Sequence, residues 1–215
     1  MKRLAFFVSG SGSDMQSVLD GIAAGEIDAL PVAVVASRPG IYALERAAAA
    51  GVPGYVFEKG NYPDLSAMYA EIVALLQGLK VDYVILAGYL TILTPNIIAA
   101  FKDRIVNIHP SLIPSFCGKG FYGLRVHRAA LDYGVKVTGA TVHFVDEGAD
   151  TGAIIAQRPV EVLPDDTPET LQARVLKTEH ELLPEVVKRL CAEDVEIVGR
   201  QVRFKAAAGA GSSRQ

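Results

Sequence analysis

Short apolar runs alternate with helical stripes along most of the chain. Leu4–Val8 is a continuous apolar run that ends in the Gly/Ser turn Ser9–Ser13. Asp14 then precedes Met15, Val18, Leu19 and Ile22, whose i, i+3, i+4, i+7 spacing lays one apolar stripe along a helix. Pro31–Ala36 reads as a second buried strand, followed by Ser37–Gly40 and a helix Tyr42–Ala50 that Gly51 stops. A third strand falls near Tyr55–Phe57, and Leu65, Met68, Ile72, Leu75, Leu76 and Leu79 mark the helix after it. Val81–Ala87 is the next buried strand, and a short helix begun by Thr94-Pro95 leads to the strand Ile105–His109.

Repeated strand–helix–strand units predict an α/β fold, a three-layer Rossmann-like arrangement with a mostly parallel sheet and helices on both faces. Past residue 135 the pattern changes. Val137–Asp146 alternates and, after a Gly/Asp loop, Ala153–Val162 follows, which predicts an added antiparallel pair. A helix from Pro168 to about Ala192 comes next, with a kink expected at Pro184. Val195–Val198 and Gln201–Phe204 flank Gly199-Arg200 as a hairpin. One domain is expected over residues 1–205, with 206–215 as a frayed tail.

Composition narrows the class. At 215 residues and 50% hydrophobic, the chain can bury a core without a disulfide or metal staple. A net charge of −3 argues against coating nucleic acid. The apolar run Leu4–Val8 is shorter than the ~7–15 residues of a signal-peptide core, and no run of ~18 apolar residues offers a membrane span. Cys117 and Cys191 form no metal-type cluster and fit reduced thiols in the cytoplasm.

In open α/β sheets ligands sit beyond the carboxyl ends of the strands, which singles out Ser9–Asp14, Gly88–Leu93, Asn107–Pro114 and Asp146–Gly152. The Ser9–Asp14 turn opens a helix, so its N–H groups and dipole suit a phosphate. Met15 stands where a dinucleotide fingerprint needs its third Gly, and the Walker pattern is absent, which favours a monophosphate. The same turn reads equally as a tight bend capped by Ser13 or Asp14. Asn107 and His109 are two apart at a strand end and point to one side of the sheet, where an amide beside an imidazole can polarise a carbonyl. Asp146, Glu147 and Asp150 crowd a Gly-containing loop. There a carboxylate can raise the pKa of a neighbouring imidazole, or simply be solvated.

Taken in order, GSGSDMQSV, ILAGYLTIL, NIHPSLIPSF, GATVHFVDEGADTGAII and ARVLKTEHELLP resemble the phosphoribosylglycinamide formyltransferases over roughly residues 3–204. The resemblance implies formyl transfer from 10-formyltetrahydrofolate to the amine of glycinamide ribonucleotide (GAR), with no metal. The expected partners are small molecules, and the expected state is a monomer or homodimer. The resemblance makes His109 the catalytic acid, kept protonated by Asp150, with Asn107 as its partner. Gly12, Ser13 and Asp14 would grip the GAR phosphate, and Glu179 would lie near its ribose. Leu90, Thr91, Ile92, Leu93, Asn107, Val145, Asp146 and Asp150 would line the folate pocket. This chain departs from the family pattern at Leu65 and Ser66, where an arginine is frequent, at Leu176, where a polar residue is, and at Asp14, where Asn is. A formyltetrahydrofolate hydrolase, or a formyltransferase acting on another amine, is the alternative. The Cys117–Gly123 loop is expected to act as a flap.

Overall fold

Alternate residues of the first strand feed two separate cores. In the computed structural model, which describes residues 1–205, β1 (Lys2–Val8) sends Leu4, Phe6 and Val8 to one face of the sheet and Ala5 and Phe7 to the other. All five side chains are fully buried, the signature of a strand covered by helices on both sides.

The chain continues through α1 (Ser13–Ala23), β2 (Ala29–Ala36), α2 (Tyr42–Ala49), β3 (Gly54–Val56), α3 (Leu65–Gly78), β4 (Tyr83–Leu86), α4 (Pro95–Ala100) and β5 (Ile105–His109). It then runs through α5 (Leu124–Tyr133), β6 (Val137–Phe144), β7 (Ile154–Glu161), α6 (Pro168–Ala192), β8 (Asp194–Val198) and β9 (Gln201–Lys205). The sheet order is β3-β2-β1-β4-β5-β6-β7-β9-β8. Strands β3 to β5 are parallel, β6 and β7 turn antiparallel, and the β8–β9 hairpin joins β7 at the edge. The α/β layering and the added antiparallel part are as the sequence pattern predicts.

One core packs α1, α2, α5 and α6 against the sheet, and the other packs α3 and α4. The start of α3 is set by Asp64, whose carboxylate accepts from Ala67 N–H at 2.8 Å. Helix α6 starts with a reciprocal box, in which Thr167 Oγ1 accepts from Thr170 N–H while Thr170 Oγ1 accepts from Thr167 N–H. It carries on through Pro184 to Ala192. The expected tail 206–215 lies outside the described residues. No helix among the described residues is long and apolar enough to cross a membrane.

Candidate active site

Loops at the carboxyl ends of β1, β4 and β5 meet α5 and α6 around a cavity of about 480 Å³. Gly10–Asp14, Asn107, His109, Asp150 and Glu179 all line it, so four distant stretches of sequence share one space.

Its floor is a polar cluster on β5 and β6. These strands are antiparallel, which makes His143 the register partner of Asn107 and Thr141 that of His109. Asn107 Nδ2 lies 3.1 Å from His143 Nε2 and 3.5 Å from Asp150 Oδ1. His143 Nδ1–H donates to the Phe144 carbonyl at 2.8 Å, leaving Nε2 as the acceptor that faces the amide. His109 Nε2–H donates to the Phe116 carbonyl at 2.9 Å, and its Nδ1 lies 3.6 Å from Asp150 Oδ2. Gly118 N–H donates to Asp150 Oδ2 at 2.8 Å. The loop after β5 is thus fastened to both His109 and Asp150. Thr141 and Gln157 brace it from β6 and β7, Thr141 Oγ1 accepting from Ile113 N–H and donating to the Ser111 carbonyl. Phe116 and Asp150 both adopt positive φ, 51° and 58°, a cost that for Phe116 places its carbonyl on His109.

Burial pushes the His109 imidazole below its ordinary pKa and outweighs the upward pull of Asp150 and of the Phe116 carbonyl. Asp150 thus pulls the imidazole towards its protonated form while desolvation pulls the other way. Burial also acts to raise Asp150, yet its contacts with His143, His109 and the Gly118 amide hold it below the usual carboxylate value.

The second wall is the first loop. Gly12 occupies the N-cap position of α1 in the left-handed region, at φ 72°, and a Cβ there would stand 2.6 Å from Ala43 Cβ. No side chain caps the helix. The expectation that Asp14 or Ser13 is the cap is therefore corrected: Gly12 provides the turn by backbone geometry alone, and Asp14 sits inside the first turn. There it meets α6. Burial raises its carboxyl to about 6, and burial together with Asp14 raises Glu179 well above the usual range. Ser9 Oγ, which accepts from Leu90 N–H at 3.0 Å and from Ser37 Oγ at 2.8 Å, ties this loop to the one after β4.

Of the residues expected around a folate, Leu90, Asn107 and Asp150 line the cavity, whereas Thr91, Ile92, Leu93, Val145 and Asp146 do not. Leu90 and Ile92 are 62% and 73% exposed and form an apolar rim. Leu93 and Val145 pack against the α3–α4 core. Asp146 braces its own loop, accepting from Gly148 N–H at 3.1 Å and from Thr151 Oγ1 at 2.5 Å. Phe121, Tyr122 and Gly123 from the expected flap line the cavity, as do Gln172 and Leu176.

His143 is the residue of this cluster that the sequence pattern does not single out. A histidine inside an apolar strand carries no signal until the strand is paired; aligning 105–109 antiparallel with 137–146 would have set His143 beside Asn107. His127 lies in the first half of α5, 1% exposed, with no hydrogen-bond partner for either ring nitrogen among the described residues. Burial, and then the charge of His109, lower it to about 4.

Residues 2–187 match the family model described as formyl transferase. The chain is 42% identical to the chloroplastic phosphoribosylglycinamide formyltransferase of Arabidopsis thaliana, over 91% of its own length and 67% of that relative. It is 39% identical to the Bacillus subtilis phosphoribosylglycinamide formyltransferase, over 88% of this chain and 95% of the other. The crystal structure of glycinamide ribonucleotide transformylase 1 from Symbiobacterium toebii superposes with a TM-score of 0.90 at 42% identity, covering 95% and 94% of the two chains. This chain spans 14% of the trifunctional purine biosynthetic protein adenosine-3 of Drosophila melanogaster, to which it is 40% identical.

Proposed function

The chain belongs to the formyl transferase family, and from that premise we propose that it transfers the formyl group of 10-formyltetrahydrofolate to the amine of GAR, giving formyl-GAR in purine biosynthesis. The observation that carries this reading is the sharing of one cavity by the phosphate-type turn Gly12–Asp14 and the Asn107–His109–Asp150 cluster.

The residues divide the work as follows. Gly12, Ser13 and Asp14 hold the phosphate of GAR, with Glu179 beside its ribose, which aims the amine at the β5 strand end. The backbone of Ala87–Leu90 and the exposed Leu90 side chain offer a flat, partly apolar rim that fits the ring system of a folate. As the amine adds to the formyl carbon, the carbonyl electron pair moves to oxygen. The Asn107 N–H that Asp150 holds only at 3.5 Å is the one free to turn to that oxygen, since the other is engaged by His143 at 3.1 Å. His109 supplies the second donor once its Nε2–H leaves the Phe116 carbonyl. Asp150, held ionised, receives the proton that the amine loses, directly or through water, and passes that same proton to the folate nitrogen as its bond to the formyl carbon breaks and the oxyanion collapses.

We assign residues 1–205 to one formyltransferase domain and place the reaction in the cytoplasm, a setting that the two free cysteines suit. The test is a coupled assay with purified protein and both substrates. Formyl-GAR formation dependent on both substrates is expected. Formate release at an equal rate without GAR would overturn the reading in favour of a hydrolase.

A further inference from the structure

Two carboxyl groups line the cavity without a cation to hold them. Asp14, 13% exposed at its side chain, has an Oδ1 that makes no hydrogen bond. Glu179 is 6% exposed and has neither hydrogen bond nor ion pair among the described residues. Both share the cavity with Gly12 and Ser13.

The other titratable and charged groups turned towards Asp14 do not neutralise it. From α6, His180 Nε2 lies 3.7 Å from Asp14 Oδ1, but burial and the charge of Arg46 push that imidazole below its ordinary pKa, which works against its carrying a charge there. From α2, Arg46 points its guanidinium elsewhere: Nε donates to the Ser11 carbonyl at 3.0 Å, Nη1 to Gln16 Oε1 at 3.3 Å, and the group stacks on Tyr42.

A phosphomonoester brings about −1.5 to −2 charges to a helix end worth roughly +0.5. An ionised carboxylate in that same turn would cancel the attraction. A protonated carboxyl instead has an O–H to give, as an amide has an N–H. Two carboxyls that share a poorly solvated site do not both ionise readily, so the pair retains one proton.

We propose that Asp14 acts as a neutral hydrogen-bond donor to the phosphate of the substrate and that Glu179 is the residue that keeps a proton available to it. This deepens, and rests on, the phosphate reading of the first loop. The complex holds one proton within the set formed by Asp14, Glu179 and the ester, and phosphate affinity falls as pH rises.

The test uses the full chain and ribose 5-phosphate as probe, with binding measured by calorimetry at pH 5.5, 7 and 8.5. Affinity of the unaltered protein is expected to fall at least tenfold across that range, while Asp14→Asn stays within threefold. Asp14→Ser, which keeps a hydroxyl donor in the turn, behaves like Asp14→Asn. In Glu179→Gln the loss moves to lower pH, and adding Asp14→Asn restores binding at pH 8.5. The second ionisation of the ester is common to all the proteins, so only their difference reports on Asp14. The same pH dependence in the unaltered protein and in folded Asp14→Asn or Asp14→Ser overturns the proposal, as does a tenfold loss in both variants at pH 7. Absence of binding at every pH in every protein overturns the phosphate reading itself, and neither result depends on formyl transfer.

Discussion

Asn107 and His143 face each other across β5 and β6, and the 3.1 Å contact from Asn107 Nδ2 to His143 Nε2 fixes which way the amide points. The ring has no choice of acceptor atom, because its Nδ1–H is committed to the Phe144 carbonyl. His143→Leu leaves a half-buried amide with one donor unmet, which costs about 1–3 kcal/mol. Denaturant unfolding should show that loss, and kcat should fall about tenfold or more with KM for GAR little changed. A kcat equal to that of the unaltered enzyme would mean that Asp150 alone orients the amide.

Asp150 is the group that pulls the His109 imidazole upward against burial. Asp150→Asn keeps the side-chain size and removes that pull, so the His109 pKa should drop further. NMR titration of the ring reads the shift directly. Turnover should fall by about 10²-fold or more, the scale on which an oxyanion donor matters. His109→Ala should lose about as much, and the double variant little beyond either single one, since the pair acts as a unit.

His127 should make the fold sensitive to acid. Its pKa is about 4 in the folded protein, below the ordinary 6.5, so the unfolded chain binds the proton more readily. The stability it contributes is complete above pH 6.5 and is lost as pH falls towards 4. Urea unfolding of the unaltered protein and of His127→Gln, compared at pH 7 and pH 4.5, should show a smaller acid loss in the variant. Equal slopes would place the acid sensitivity elsewhere.

At Gly152 the loop carrying Asp150 runs hard against the end of β6. A Cβ at this position would stand 1.7 Å from the Phe144 carbonyl oxygen and 2.7 Å from its carbon. Backbone, not a flexible side chain, is what would have to yield. Gly152→Ala should therefore shift Asp150, lower Tm by several degrees and reduce kcat more than it raises KM. A crystal structure of the variant with Asp150 unmoved and full turnover retained would contradict this account.

The element pattern was readable because burial on one or both faces writes a period into the sequence. The apolar run Leu4–Val8 and the stripe Met15, Val18, Leu19 are covered in the fold as that period requires. Boundaries slipped where the backbone rather than hydrophobicity decides: β3 is Gly54–Val56 instead of Tyr55–Phe57, and β6 ends at Phe144 instead of Asp146. In the candidate site, Asn107, His109 and Asp150 were legible because polar residues stand at strand ends and in Gly-rich loops. His143 was not, because its partner is set by strand pairing. The state of Asp14 was hidden too. A residue after Gly-Ser reads as a cap, and only the approach of α6, about 165 residues further along, buries it against Glu179.

That approach of the last long helix to the first loop also orders the life of the protein in time. The turn Gly10–Asp14 leaves the ribosome well before Gln172, Leu176 and Glu179, which close the same cavity. A nascent chain stalled before α6 holds every residue of the β5 cluster and still lacks one wall of its binding site. Recognition by the full cavity therefore waits until α6 has been made and docked.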